Sequence, residues 1–342
     1  MKIWIDILTP KQLLFSEAII EKFGKKHQIL CTSREYEEVT KLAKIRSFRL
    51  VLAGKHGGGK KETKLKASIE RMRILSNKIN TFSPDLVISF CSPEAARISF
   101  GLGIKHVAFC DSPQAEAVMR LTLPLIQKLL IPKTIPKKEF AKFGINEKDI
   151  ISYNAIDAAV TIKRKIKEKN TLPFQDKNKK NILIRVEEQE AAYVLKSNKI
   201  ISIIKNIIKN HSEQNIVILG RYPHQIKKMQ KIVGKKAKVV KMSFDGRVLL
   251  NNTDVFIGSG GTMTAESALM GVPTISYNAV PNPIENYLVK KGLVKREMNP
   301  DKINTYVSKI FKSSNKINQI RAKKITKQME DPVEKLVKAI RD

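Results

Sequence analysis

The sequence predicts an α/β protein built from two doubly wound, Rossmann-like domains. Three observations lead there. Short apolar runs alternate with helical stretches through residues 1–162, a charged stretch interrupts them, and the alternation restarts at residue 181. In the second half an apolar run ends in Gly258-Ser-Gly-Gly261 at the head of a helix. Strands that alternate with helices can pair in parallel, with the helices covering both faces of the sheet.

In the first domain, residues 1–162, the runs Lys2–Ile7, Gln28–Thr32, Phe48–Ala53, Asp85–Phe90, His106–Cys110, Leu129–Pro132 and Ile150–Tyr153 read as strands. Leu13–Phe23, Leu65–Asn80 and Pro93–Phe100 read as helices between them. Residues 163–180 are charged, carry Pro173 and Asn178, and read as a linker. The second domain, residues 181–313, has strands at Ile182–Val186, Ile216–Leu219, Val239–Met242, Val255–Ile257 and Thr274–Tyr277. Residues 314–342 form a lysine-rich C-terminal helical tail of one or two helices, able to pack back on the first domain. In doubly wound sheets ligands sit beyond the C-terminal strand ends, so the expected site is the cleft where the two domains face each other.

Charge is the unusual part of the composition. Lys and Arg total 64 against 32 acids, for a net charge of +32. Such a field attracts nucleic acid, anionic lipid or phosphorylated small molecules. Aromatics are only 6% and no nucleic-acid-binding motif is present, so a nucleic-acid role ranks below a small-molecule one. Leu121–Lys138 is apolar and basic together, which suits peripheral contact with an anionic membrane. Its three prolines fit an ordinary helix, strand and basic turn better. No run is long enough to span a bilayer, and Asp6 interrupts any signal-like apolar start, so the expected location is cytoplasmic. Cys31, Cys91 and Cys110 are scattered and read as reduced core residues. Metal-ligand spacing is absent, and no cofactor beyond the substrate is expected.

The segment from Asp254 to Pro273 carries the most chemistry. Gly258, Ser259, Gly260, Gly261 and Thr262 link a buried strand to a helix N-terminus. Free amides and the positive end of the helix dipole there suit a phosphate, and glycine lets the backbone approach it. The alternative is a tight turn that binds nothing. Glu266, one turn on, either complements the dipole or accepts hydrogen bonds from two ribose hydroxyls.

Other candidates follow strands. Gly54-Lys-His-Gly-Gly-Gly59 reads as a mobile loop in which Lys55 can meet a phosphate and His56 can move protons. Ser92-Pro-Glu-Ala-Ala-Arg97 is ordinary helix-start chemistry that also places Glu94 at a strand end. Asp111 and Glu116, in Cys110-Asp-Ser-Pro-Gln-Ala-Glu116, and Asp6 are further carboxylates for acid–base work or sugar hydroxyls. Arg221 can hold a phosphate and His224 can act as a general acid. Arg185 ends a strand, with Glu187 and Glu188 after it, and Asp245-Gly-Arg247 reads as a turn.

These residues resemble the family called domain of unknown function 354. The matching pieces are Trp4-Ile-Asp-Ile7, Gly54-Lys-His-Gly-Gly58, Ser92-Pro-Glu-Ala-Ala-Arg97, Gly101-Leu-Gly103, Arg221-Tyr222, Asp245-Gly246, Gly258 to Glu266, Pro281 to Leu288 and Lys291-Gly-Leu293. The resemblance implies a GT-B-like arrangement of the two domains. Gly260 to Pro273 is similar, more distantly, to the nucleotide-sugar segment of lipid-linked GlcNAc transferases and UDP-GlcNAc 2-epimerases. It implies a diphosphate on the glycine turn, ribose on Glu266 and a histidine at His224. The family's loop after the first strand bears a histidine; here it is Leu8-Thr-Pro-Lys-Gln12, so a catalytic role is not carried over to that loop.

The expected function is therefore a nucleotide-sugar-dependent enzyme, UDP-linked, performing glycosyl transfer or epimerisation in the interdomain cleft. His56, Glu94, Asp111 and His224 are the catalytic candidates, and Gly258–Thr262, Glu266, Arg221 and Lys55 the binding ones. The alternatives are a non-catalytic binder of a nucleotide or phosphorylated ligand, and a basic RNA- or membrane-associated scaffold. Oligomeric state is left open.

Overall fold

A computed structural model describes residues 1–166, 172–174, 176–187, 199–241, 245–278 and 282–341. Glu188, Met242, Pro281 and residues 167–171 and 175 of the expected linker lie outside the described residues. The chain divides into two compact units, Met1–Arg164 with Met329–Asp342, and Lys165–Gln328.

The first unit begins with β1 (Lys2–Asp6), α1 (Pro10–Phe23), β2 (Gln28–Glu35), α2 (Glu37–Ile45) and β3 (Val51–Lys55). It continues through α3 (Lys61–Phe82), β4 (Leu86–Ser89), α4 (Pro93–Gly101), β5 (Lys105–Phe109) and α5 (Glu116–Thr122). Then come β6 (Lys128–Pro132), α6 (Lys138–Ala141), β7 (Ile150–Tyr153) and α7 (Ala158–Thr161). All strand pairs are parallel, in the order β3-β2-β1-β4-β5-β6-β7. Alternate side chains of β1 enter opposite cores. Ile3 and Ile5 meet Leu14 and Phe15 of α1, while Trp4 meets Leu75, Ile79 and Val87. Burial on both faces explains why these strands read as unbroken apolar runs rather than alternating ones.

The second unit repeats the plan. It contains β8 (Asn181–Arg185), α8 (Lys199–Asn210), β9 (Asn215–Gly220), α9 (Pro223–Val233), β10 (Lys238–Lys241) and α10 (Gly246–Leu250). β11 (Val255–Gly258), α11 (Thr262–Leu269), β12 (Thr274–Ser276), α12 (Pro283–Lys290), β13 (Val294–Arg296), α13 (Pro300–Lys312) and α14 (Lys316–Lys327) follow. The parallel order is β10-β9-β8-β11-β12-β13. On α8, Ile200, Ile203, Ile204, Ile207 and Ile208 form one buried stripe against Ile182 and Ile184. Each such side chain contributes about 1.5–3 kcal/mol on burial.

Several expectations are revised. The strand at Phe48–Ala53 lies later, at Val51–Lys55, because Phe48 and Leu50 serve the core from outside the ladder. Gly54 and Lys55 are thus strand rather than loop. A Cβ on Gly54 would come within 2.9 Å of Arg71 Cβ, so glycine there permits close packing of α3. In the expected linker, Leu172 and Phe174 pack on the Leu183–Phe256 core, and Asn215 donates to the Asp176 carbonyl at 2.5 Å. The tail is two helices with different allegiances. α14 lies against α11, whereas α15 (Pro332–Arg341) buries Val333, Leu336 and Ala339 in the core of the first unit. The three cysteines are free and buried. Among the described residues no helix is long and apolar enough to cross a membrane, and no cluster of His, Cys, Asp or Glu could hold a metal.

Candidate functional site

In both sheets the direction of strand addition reverses beside the first strand, between β1 and β4 and between β8 and β11. Crevices at such reversals open at the C-terminal strand ends and receive ligands. In the second unit the residues at that place are Arg185 at the end of β8, Glu187 just beyond it, and the glycine turn that begins at the end of β11.

The turn is built for close approach. A Cβ on Gly258 would sit 2.5 Å from both the Phe256 ring and Thr264 Oγ1. Gly260 has φ +95, a conformation that favours glycine. Its N–H donates to Thr264 Oγ1 at 3.2 Å, and its carbonyl accepts from Asn282 Nδ2 at 2.9 Å. Gly261 stands at the N-cap of α11 and brings no capping side chain to the first-turn amides. A Cβ there would meet nothing within 4 Å. The packing of the protein therefore does not require glycine at 261. Glu266 is buried in the same helix.

Around the turn the strand ends are cross-tied. Tyr277 donates to Glu187 Oε2 at 2.7 Å, and Gln225 donates to the Glu187 carbonyl at 2.9 Å. Burial, and then the neighbouring Glu187, push the Tyr277 hydroxyl well above its ordinary pKa, so it stays a donor. Arg185 Nη1 donates to the Gly220 carbonyl at 3.3 Å. Arg221 is half-buried at the end of β9, and His224 is exposed in the first turn of α9, its ring stacked on Tyr222 at 5.5 Å. Asp245 and Arg247 form more than a turn: Arg247 Nε donates to Asp245 Oδ1 at 2.8 Å with both side chains buried. Asp245 also caps α10.

The first unit holds two ionic clusters at its strand ends. In one, Arg71 bridges Asp6 at 2.6 Å and Glu94 at 3.2 Å. Thr32 donates to Asp6 at 2.6 Å, and Ser68 to Glu94 at 2.8 Å. Burial alone would raise the Asp6 pKa, but Arg71 outweighs it and holds the carboxyl below its usual range. In the other cluster Lys11 bridges Asp111 at 2.7 Å and Asp157 at 2.9 Å, and Tyr153 donates to Asp157 at 2.6 Å. Burial pushes Asp157 upward, whereas Asp111, also desolvated, is held down by the Lys11 ammonium. On β5, beside β4, His106 lies between Ser89 (2.8 Å) and Ser99 (2.9 Å), and burial pushes it down to about 3.

The structure thus ties Asn282 to Gly260 of the glycine turn, and it buries Glu266 in the helix that the turn feeds. The carboxylates expected to serve acid–base work or sugar hydroxyls, Asp6, Glu94 and Asp111, are each engaged in an ion pair with a largely buried cation. Lys55 and His56 stand at the sheet edge formed by β3. Lys55 lies 3.8 Å from Glu35 and is 82% exposed, and His56 stacks on Tyr36 at 4.9 Å. Arg71, Lys11, Asp157 and Tyr153 escape the sequence reading. Arg71 carries a signal nonetheless, since it shares the i, i+4, i+8 stripe of Leu75 and Ile79, and a cation on a buried stripe demands an acid.

One sequence relative spans most of the chain, and solved structures share its architecture. An uncharacterised protein of Methanocaldococcus jannaschii is 28% identical over 299 residues, covering 85% of this chain and 86% of that protein. The UDP-GlcNAc 2-epimerase of Neisseria meningitidis, solved bound to UDP-GlcNAc, superposes over 99% of both chains with a TM-score of 0.74 at 16% identity. The spinosyn forosaminyltransferase superposes over 100% of both chains with a TM-score of 0.59 at 13% identity. Likeness at such identities shows the fold, which is GT-B-like: two parallel sheets, each flanked by helices. The model of the family described as "Protein of unknown function (DUF354)" matches residues 1–342, and the chain belongs to that family.

Proposed function

We propose that this protein is a nucleotide-sugar-dependent enzyme, performing glycosyl transfer or UDP-sugar epimerisation. The diphosphate rests on the amides of Gly258–Thr262, the ribose hydroxyls donate to Glu266, and Arg221 offsets phosphate charge. His224, exposed beside Tyr222, is the candidate for proton transfer in this unit; His56, Glu94 and Asp111 are those of the other. Lys55, out at a sheet edge, is the weakest of the binding candidates.

The observation that carries this reading is Gly261. It sits at a helix N-cap, at the strand-order reversal, where a side chain would have room and none is present. Backbone left bare where packing does not require it suits a ligand that must approach closely. The fold shared with an epimerase solved with UDP-GlcNAc supports the nucleotide-sugar class.

A second reading, a non-catalytic nucleotide-binding protein, is favoured by one feature. Asp6, Glu94 and Asp111 are each committed to a cation, which restrains them as proton carriers. Thermal shift against nucleotides and nucleotide sugars, comparing the native chain with Glu266→Gln, tests binding. A ligand at about 100 times its Kd adds about 2.7 kcal/mol, a visible shift. Stabilisation by a UDP-linked compound that Glu266→Gln weakens is expected, and no response to any of them overturns both readings. Turnover of the bound nucleotide sugar then separates enzyme from binder.

A further inference from the structure

α14 is a strongly cationic helix on the surface of the second unit. It contains Lys316, Arg321, Lys323, Lys324 and Lys327 and no acid. At about 100° per residue, Ile317, Ile320, Lys316, Lys324 and Lys327 share one arc of the helix. Ile317 and Ile320 are each 68% exposed.

The opposite arc fastens the helix to the second unit. Ala322 is buried, and a Cβ on Gly271 would come within 2.8 Å of the Gln319 Cα, so the two backbones touch closely. Arg321 Nη1 donates to the Gly292 carbonyl at 2.8 Å. An amphipathic helix of a globular protein turns its isoleucines inward and its lysines outward. Here the isoleucines share the lysine face while the inner face is already filled. α3 also exposes Leu65 and Ile69, but it carries Glu62 and Glu70 beside them.

We infer that α14 docks this protein on an anionic membrane surface. Ile317 and Ile320 enter the boundary between headgroups and acyl chains. Lys316, Lys324 and Lys327 extend their stems over the same apolar layer and pair their ammonium groups with acidic phospholipid headgroups. The net charge of +32 draws the whole molecule to such a surface before the isoleucines engage. A second copy of the chain fits this face poorly, since two acid-free cationic helices repel. A nucleic acid would use the lysines and leave the isoleucines without a purpose, and no aromatic residue stands on the helix to stack a base. This surface lies outside the nucleotide reading and does not depend on it.

The test is co-sedimentation of the full chain with vesicles of phosphatidylcholine alone or with about a third phosphatidylglycerol, at low and moderate salt. Binding confined to the anionic vesicles is expected. Ile317→Ser/Ile320→Ser should weaken it at least about tenfold. Lys316→Gln/Lys324→Gln/Lys327→Gln should weaken it by roughly 100-fold. Melting temperatures should not change, because these side chains are exposed. The inference is overturned by absence of binding to anionic vesicles at low salt, or by binding that the isoleucine pair does not affect. It is equally overturned if the isoleucine pair instead abolishes self-association or binding to a single-stranded RNA.

Discussion

Arg71 Nη2 lies 2.6 Å from Asp6 Oδ1, with both side chains sealed from solvent. The pair joins α3 to the end of β1, and a buried charge without its partner is far costlier than the pair is stabilising. Arg71→Met should therefore destabilise the first unit by about 3–5 kcal/mol, read from the urea midpoint. The double variant Asp6→Asn/Arg71→Met should recover part of that loss.

His106 makes stability depend on pH in a defined direction. Folded, burial holds it down to about 3; unfolded, it titrates near its ordinary 6.5. Between those values the unfolded chain takes up a proton that the folded chain refuses. Its contribution is complete above about 6.5 and is lost as pH falls toward 3, with a slope approaching about 1.4 kcal/mol per pH unit. His106→Gln can still bond Ser89 or Ser99, and it should flatten the stability profile across that window in chemical denaturation.

The two glycines bracketing the turn should respond differently to alanine. Gly258→Ala forces a Cβ into Phe256 and Thr264 and should cost about 1–3 kcal/mol. Gly261→Ala meets open space at φ −85 and should change stability by less than about 0.5 kcal/mol. If the diphosphate approaches the bare backbone, Gly261→Ala should nevertheless weaken nucleotide binding in calorimetric titration. Unchanged binding would remove the phosphate from that spot.

Lys11 neutralises two carboxylates at once. Burial alone would lower its pKa, but Asp111 and Asp157 raise it, so the ammonium persists across the working pH range. Lys11→Met leaves both acids without their cation and raises their folded pKa values. Such groups stabilise the fold at low pH and lose that effect as pH rises through the raised values. The stability maximum of the variant should therefore move to lower pH than that of the native chain, a shift readable from thermal melts across pH.

The fold class was legible because buried parallel strands leave unbroken apolar runs. Ile150–Tyr153 reads to the residue, bracketed as it is by polar neighbours. β3 did not, since an apolar residue such as Leu50 serves a core equally well inside or outside a ladder, and periodicity cannot tell which. The glycine turn was legible as a place, and its neighbour Asn282 stood only inside a family likeness. The ionic clusters were hidden for another reason. Arg71 and Glu94 are 23 residues apart, and Lys11 and Asp157 are 146 apart, so only the folded sheet brings them together. Local spacing identifies a cap or a turn, whereas a long-range ion pair leaves just a charged residue on an otherwise apolar stripe.

α15 returns to the unit in which the chain began, so the second unit is in effect an insertion within the first. During synthesis the ribosome makes all of Lys165–Gln328 before it supplies Val333, Leu336 and Ala339. The seven strands of the first sheet emerge early, yet their helical cover at β5, β6 and β7 stays incomplete until the second unit has been translated. The nascent protein must shelter that apolar face for the time taken to build an entire second unit. Truncation after Gln328 would leave it permanently uncovered while sparing every residue of the glycine turn.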